Sequence, residues 1–387
     1  MTEDEKYIRR CIQLASNGLC TAAPNPMVGA VVVCDGKIIG EGYHVHCGEG
    51  HAEVNAIGSV KDKSLLKRST IYVSLEPCSH YGKTPPCADL ILSMGIPRVV
   101  VGCVDPFSLV AGRGIQKLRD GGVEVTVGVL EQECRDLIRR FVVFNTQKRP
   151  YITLKWAQSA DGFIDVRREG GSAKVLSTPI SSLYVHKQRA EHKAILVGRN
   201  TALLDNPSLT VRGWSGANPI RMVIDRNLTL PSDLHLFDGS QTTWVFTQQV
   251  KESTPYIIYH TLDFTQDILP QICKVLYDNK VQSVLVEGGT CLLQSFIDKG
   301  LWDEIFIEHA RCVLKDGVPA PVVPHGFASD CELRDGVFTE HYHVSKSSTL
   351  LRFGAAGSSS GYPRPITQPT FWFSGMCRRS MIFSSSK

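Results

Sequence analysis

The sequence predicts an α/β protein built as two consecutive domains, and three observations carry that expectation. The chain has 387 residues, more than one hydrophobic core usually serves. Segments of strand and helix periodicity alternate along it, the pattern of sheets covered by helices. A polar stretch, Asn145-Thr146-Gln147-Lys148-Arg149, closed by Pro150, interrupts that alternation near the middle. The expected domains therefore span 1–147 and 148–350, with a poorly ordered Gly/Ser/Pro-rich tail at 351–387.

In the first half, residues 3–17 place Tyr7, Ile8, Cys11, Ile12 and Ala15 on one face of an amphipathic helix. Pro24-Asn25-Pro26 ends that pattern. Residues 27–33 and 37–43, joined by Asp35-Gly36, read as a β-hairpin. A helix is expected from His51, a buried strand over 70–75, a helix from Cys87 and a strand over 98–103. A further helix over 114–120 and strand over 123–127 follow. In the second half, strands are expected over 151–156, 194–197, 220–225, 243–246, 283–287 and 304–309. Helices fall over 181–190, 268–278 and 291–299. Within the tail, Phe371-Trp372-Phe373 is an apolar island.

Composition narrows the class. Hydrophobic residues at 43% and charged ones at 21% suit a globular enzyme. Lys and Arg (42) exceed Asp and Glu (38) by four, with no long basic run. That argues against a nucleic-acid footprint and leaves room for local anion pockets. The N-terminus is polar and acidic, unlike a signal peptide, and no run of about 20 apolar residues predicts a membrane span. The 13 cysteines are odd in number, and Cys34 and Cys103 end apolar runs. A reduced, cytoplasmic protein with buried thiols is expected.

One constellation carries chemistry. His51, Cys78 and Cys87 supply three borderline-to-soft zinc ligands, leaving a fourth position for water as a catalytic zinc requires. Glu53 lies two residues after His51, where it can reach that water without ligating the metal. Zinc lowers the pKa of bound water toward about 7, and a carboxylate then carries its proton to the ring nitrogen and the leaving ammonia. His-Ala-Glu alone is a common tripeptide, and two cysteines nine positions apart are weak. Their order, with Pro77 before Cys78, matches the zinc deaminases. The general signature has two residues between its cysteines, whereas eight separate these. A structural zinc would need a fourth ligand, for which Cys47 and His80 are the candidates.

That long excursion, Glu76-Pro-Cys-Ser-His-Tyr-Gly-Lys-Thr-Pro-Pro-Cys87, identifies a subgroup. With Asn25-Pro-Met-Val-Gly29, Gly48-Glu-Gly-His-Ala-Glu53 and Val110-Ala-Gly-Arg-Gly-Ile115, it resembles the bifunctional riboflavin-biosynthesis deaminase/reductases, and the likeness runs to about residue 325. The resemblance implies a cytidine-deaminase-like α/β/α domain followed by a dihydrofolate-reductase-like α/β domain. It implies deamination of a phosphoribosylamino-diaminopyrimidinone, then NADPH-dependent reduction of the ribose to ribityl. His51, Cys78 and Cys87 carry over as zinc ligands and Glu53 as the proton shuttle. Asn25, His44 and Lys83 carry over as substrate contacts. Taken singly, Asn25 also reads as a turn residue between prolines and Lys83 as a solvated loop charge. Phe107 stands where relatives carry Asn.

In the second half, Glu287-Gly288-Gly289 between a strand and a helix allows close backbone approach to phosphate, although Gly-Gly alone is a weak sign. Asp205-Asn206-Pro207 reads by itself as a capped turn. By the resemblance, Ala157, Thr201, Asp205 and Gly289 meet the cofactor, and Arg189, Leu209, Arg212 and Glu287 meet substrate. Paired arginines suit a phosphate dianion. Lys155 and Asp161 are expected near hydride transfer. Arg226 is placed to meet the 2′-phosphate of NADPH, or to be a solvated arginine. Two departures stand out: Val175-Leu-Ser-Thr178 lacks an expected aromatic, and Lys315-Asp-Gly-Val-Pro319 lacks an expected glycine pair.

The partners expected are a small phosphoribosyl-pyrimidine and other copies of the chain, with neither nucleic acid nor membrane. The alternatives are a deaminase whose second domain binds without reducing, a nucleic-acid base deaminase, and a zinc-stabilised scaffold.

Overall fold

Apolar strands that need cover on both faces dictate the first half. The computed structural model describes residues 1–81, 85–106, 112–168, 173–325, 327, 329–334 and 337–344. A helix α1 (Glu3–Ala15) leads into strands β1 (Gly29–Cys34) and β2 (Lys37–Tyr43), then α2 (Ala52–Ser59) and β3 (Thr70–Leu75). There follow α3 (Cys87–Ser93), β4 (Arg98–Cys103), α4 (Arg113–Asp120), β5 (Glu124–Val127), α5 (Glu131–Leu137) and α6 (Arg139–Gln147). The sheet order is β2-β1-β3-β4-β5, with β1 antiparallel to both neighbours and β3, β4 and β5 parallel.

Alternation along β1 sorts the helices. Val31 and Val33 pack with Tyr7, Ile8 and Cys11 of α1 and Cys134 of α5. Ala30 and Val32 pack with Ala56 of α2, Ile91 of α3 and Leu118 of α4. Side chains two apart share a face, so the sheet lies between two helical layers. A capping box between Thr2 and Glu5 starts α1.

The second half is a larger sheet. Its elements are β6 (Tyr151–Gln158), β7 (Phe163–Asp165), α7 (Pro179–Glu191), β8 (Ala194–Gly198), α8 (Arg199–Asp205), β9 (Ile220–Ile224), β10 (Thr243–Thr247) and β11 (Ile257–Thr261). Then come α9 (Ile268–Asp278), β12 (Ser283–Val286), α10 (Thr290–Asp298), β13 (Glu304–His309), β14 (Val318–Pro319), β15 (Ser329–Arg334) and β16 (Val337–His343). Nine strands run in the order β11-β10-β9-β8-β12-β6-β13-β16-β15. The first seven are parallel, and the β15–β16 hairpin adds antiparallel strands at one edge. Ile152, Leu154, Leu196 and Val284 meet α9 and α10 on one face. Ile195, Val197 and Leu285 meet Ala202 of α8 on the other.

The polar connector at 145–149 is exposed at Thr146, Gln147 and Lys148 and buried at Arg149. Helix α6 runs through Asn145, Thr146 and Gln147. Arg149 is 8% exposed, and its guanidinium grips Asp303 at 2.6 and 2.7 Å. That carboxylate also accepts the Ile152 N–H. The polar residues thus close a buried ion pair where the chain enters β6. Helices α5, α6 and α8 and strands β7, β11 and β14–β16 lie outside the sequence expectations. The described cysteines are all free, and no described helix is long and apolar enough to cross a membrane. The expected tail at 351–387 lies outside the described residues.

Candidate functional site

Three elements converge where β3 ends. The chain leaves β3 at Leu75 and carries Glu76, Pro77 and Cys78 across the sheet's C-terminal edge, while His51 caps the N-terminus of α2 and Cys87 opens α3. His51 Nδ1 lies 3.5 Å from Cys78 Sγ and 3.3 Å from Cys87 Sγ. The Cys87 N–H donates to Cys78 Sγ at 3.3 Å. Separations near 3.5 Å are the edges of a ligand tetrahedron with bonds of roughly 2.0–2.3 Å. The donors, one imidazole and two thiols, suit zinc. A thiol-to-thiol hydrogen bond from the Cys87 side chain holds the Cys78 thiol well below the usual range, and that same bond, with burial, pushes Cys87 up. Neither Cys47 nor His80 joins this group.

Glu53 stands beside it, 3% exposed. Burial, then the neighbouring Cys78 charge, pushes its carboxyl up to about 7, against the opposing pull of His51. A carboxyl poised there can both take and return a proton near neutrality.

What fixes the 76–78 segment is a side chain that no sequence pattern flags. The Glu76 carboxylate accepts four backbone N–H groups, from Asp105 (3.2 Å), Gly112 (2.9 Å), Gly114 (2.9 Å) and Ile115 (3.3 Å). It therefore ties the β4 exit and the start of α4 to the strand that delivers Cys78. Gly114 is required there, because a Cβ would sit 1.9 Å from the Pro77 carbonyl oxygen. Only the glycines of Val110-Ala-Gly-Arg-Gly-Ile115 hinted at so close an approach.

Asn25 and His44 come together at the same site. Asn25 Nδ2 donates to His44 Nε2 at 3.0 Å, and His44 Nδ1 meets the Gly50 carbonyl at 3.1 Å. That pattern puts the proton on Nδ1, and burial, which lowers the His44 pKa, keeps the ring neutral. The ring meets His51 edge-on at 5.5 Å between centroids. Lys83 and Phe107 lie outside the described residues.

The second half holds a cleft of about 860 Å³ beyond the C-terminal ends of β6, β8, β9 and β12, where open parallel sheets bind ligands. Lys155, Ala157, Arg189, Thr201, Asp205, Arg212, Arg226, Glu287 and Gly289 all line it. Arg189 and Glu287 form a buried two-bond pair at 2.9 and 2.6 Å. Lys155 is half-buried at the cleft, and desolvation lowers its pKa; its ammonium is 3.9 Å from Glu308, which also takes hydrogen bonds from Ser177 and Ser181. Gly288, at φ 132°, turns the chain so that Gly289 caps α10 beside Thr201, whose hydroxyl would be 3.3 Å from a Cβ at Gly289.

Two of the expected residues lie off the cleft lining. Leu209 does not line the cleft. It is 2% exposed and packs in the core with Ile195 and Val197, while the next carbonyl, of Thr210, accepts from Arg189 at 3.2 Å. Asp161 is likewise outside it, its carboxylate accepting the Leu314 and Lys315 N–H groups. Conversely, His186, Arg168 and Arg199 line the cleft and were not foreseen. His186 lies three residues before Arg189, one helical turn away, and that spacing could have flagged it. Arg168 pairs with Asp165 and Asp205, a contact set by the fold and invisible in sequence. Val175 lies at the cleft, 80% exposed.

Comparison with known proteins matches both halves. Residues 1–103 match the cytidine and deoxycytidylate deaminase zinc-binding region. Residues 150–333 match the RibD C-terminal domain. The riboflavin biosynthesis protein RibD of Aquifex aeolicus is 40% identical over 320 residues, covering 81% of this chain and 89% of that protein. The RibD of Escherichia coli is 34% identical over 91% of this chain and all of its own length. A deaminase/reductase from Thermotoga maritima, described as acting on diaminohydroxyphosphoribosylaminopyrimidine and 5-amino-6-(5-phosphoribosylamino)uracil, superimposes with a TM-score of 0.81 at 38% identity, covering 88% of this chain and 98% of its own. Acinetobacter baumannii RibD gives 0.78 at 30% identity, covering 89% and 99%.

Proposed function

The chain belongs to the RibD family, with a zinc-binding deaminase and a reductase of riboflavin biosynthesis in one polypeptide, and from that premise we propose the substrate, the cofactor and the residue roles. The deaminase half acts on 2,5-diamino-6-(5-phosphoribosylamino)pyrimidin-4-one. The reductase half then uses NADPH to convert the ribose to ribityl, giving 5-amino-6-(5-phosphoribitylamino)uracil. The observation that carries this reading is the convergence of His51, Cys78 and Cys87 with a buried carboxyl beside them.

His51, Cys78 and Cys87 would hold zinc, which when bound would act as a Lewis acid and make water nucleophilic near neutral pH. Glu53 takes one proton from the attacking water and delivers it to the ring nitrogen, then carries the second, from the newly formed hydroxyl, to the departing amine. Water supplies the new carbonyl oxygen and the exocyclic C–N bond breaks, releasing ammonia. Asn25 and the neutral His44 orient the ring edge, with Lys83 as a further contact.

In the second half, Arg189 and Arg212 are the phosphate partners, and Glu287 holds Arg189 in place. Lys155 supplies a proton as the ribose ring opens. Ala157, Thr201, Asp205 and Gly289 border the nicotinamide cofactor, and Arg226 meets its 2′-phosphate. Leu209 serves by packing beneath this site. A cytoplasmic, homo-oligomeric enzyme completes the reading; the many buried free thiols support a reducing compartment, and light scattering of the purified chain would count its copies.

Two substitutions test the zinc half. Cys87→Ser should lose both metal and deaminase turnover. Glu53→Gln should keep one zinc per chain while turnover falls by roughly 10²–10⁴-fold. Metal analysis beside a deaminase assay reads both. Full turnover in Glu53→Gln would overturn the assignment.

A further inference from the structure

The loop that brings Asn25 to the deaminase site is gripped from the other half of the molecule. Within itself the loop is tied by bonds from the Ala22 N–H to Gly18 and from the Asn25 N–H to Ala22. From the reductase half, Lys193 Nζ donates to the Cys20 carbonyl at 3.1 Å. Gln282 Nε2 donates to the Pro24 carbonyl at 2.6 Å. The Cys20 thiol lies 3.5 Å from the Ala190 carbonyl. A cavity of about 40 Å³, lined by Asn25, Arg140, Glu191 and Gln282 among others, remains behind these contacts. Packing alone therefore does not fix the loop here, and its position rests on the polar contacts.

The geometry of one peptide makes the Gln282 contact consequential. The Pro24 carbonyl and the Asn25 N–H belong to the same rigid plane. Gln282 holds one end of that plane and Ala22 holds the other. Asn25 then donates to His44, which meets His51. Releasing the carbonyl lets the plane rotate and swings the Asn25 amide away from His44. Displacements near 1 Å at a positioning group can cost about 10²-fold in rate.

We propose that Gln282 and Lys193, both on the reductase half, are positioning residues for the deaminase, acting through the loop that carries Asn25. The proposal rests on the reading of Asn25 as a substrate contact. Gln282 precedes β12 and Lys193 precedes β8, whereas the reductase cleft lies at the opposite, C-terminal ends of those strands. The four residues of β12 lie between Gln282 and Glu287, which puts the two about 16 Å apart along the chain at ~3.3 Å per step. The two activities can therefore respond separately.

The test compares Gln282→Met, Asn25→Ala and the double variant in the full-length, zinc-loaded enzyme. It measures deaminase kcat and KM for the diaminopyrimidinone phosphate, reductase KM for the deaminated intermediate, and zinc content. Gln282→Met should raise deaminase KM about tenfold, the effect of a buried donor lost, with zinc and reductase KM unchanged. Asn25→Ala should raise it as well, and the double variant no further, since both act through one residue. Lys193→Met, a second route to loosening the loop, should move the same constant the same way. If Asn25→Ala leaves KM unaltered, the reading of Asn25 fails and takes the proposal with it. If Asn25→Ala raises KM while Gln282→Met and Lys193→Met do not, the proposal alone is overturned. A parallel fall of both activities would make the contacts merely structural, which also overturns it.

Discussion

Glu53 and Arg226 show how differently single residues declare themselves. Glu53 stands out in the sequence because the proposed chemistry calls for a carboxyl at a set distance along a helix from a histidine that could hold the metal. Only its burial, and hence a pKa near 7, needed the fold. Arg226 had no such signature, since an arginine after a strand is more often solvated. It lines the cleft, with Nε donating to Gln248 at 2.8 Å and its guanidinium over Phe264. If it meets a 2′-phosphate, Arg226→Ala should raise KM for NADPH roughly tenfold, the worth of a charge-assisted contact, and leave KM for NADH unchanged. Steady-state kinetics with both cofactors would show it, and equal losses for the two would place the arginine elsewhere. Leu209, at a backbone φ of 51°, is buried with Ile195 and Val197, and the next carbonyl, of Thr210, accepts from Arg189.

Elements with strong periodicity or continuous apolar runs were read almost to the residue, among them β3, β4, α9 and β13. Those missed lack that signal. Helix α6 begins with two arginines, both spent on the other half: Arg139 binds Glu304 at 2.9 Å and Arg140 binds the Glu191 carbonyl. Long-range pairing of this kind leaves no periodic trace. Glu76 is the same lesson within the deaminase. In Glu76→Gln one amide oxygen must replace a carboxylate that accepts four N–H groups. Leaving two of them without acceptors should cost about 2–4 kcal/mol, read in denaturant unfolding, and deaminase turnover should fall as Cys78 shifts. An unchanged unfolding midpoint would deny the brace.

The end of α7 supplies a pH dependence. His192 is fully buried, its Nε2 2.9 Å from the Thr153 hydroxyl and its Nδ1 2.6 Å from the Gln188 carbonyl. Burial, then the Arg140 charge, holds it down to about 3. Below its ordinary value of 6.5 the unfolded chain binds a proton that the folded chain refuses. The stability it confers is thus whole above pH 6.5 and is lost as pH falls toward 3. Between pH 7.5 and 5 the loss should be about 2 kcal/mol, and His192→Gln should flatten that part of the profile.

At the scale of the whole molecule, two sheets with different sites share one chain and are joined by charged and polar contacts: Arg139 to Glu304, Lys193 to Cys20 and Gln282 to Pro24. The order of the motifs announced two activities, but not that each half would help to build the other's surroundings. If the first half makes what the second half reduces, loss of NADPH absorbance reports the coupling of the two steps. Wild-type enzyme should consume NADPH with either the diaminopyrimidinone phosphate or its deaminated product. Glu53→Gln should stay silent with the former and run at the wild-type rate with the latter. NADPH consumption by Glu53→Gln on the diamino compound, or none by wild type on the deaminated one, would contradict it.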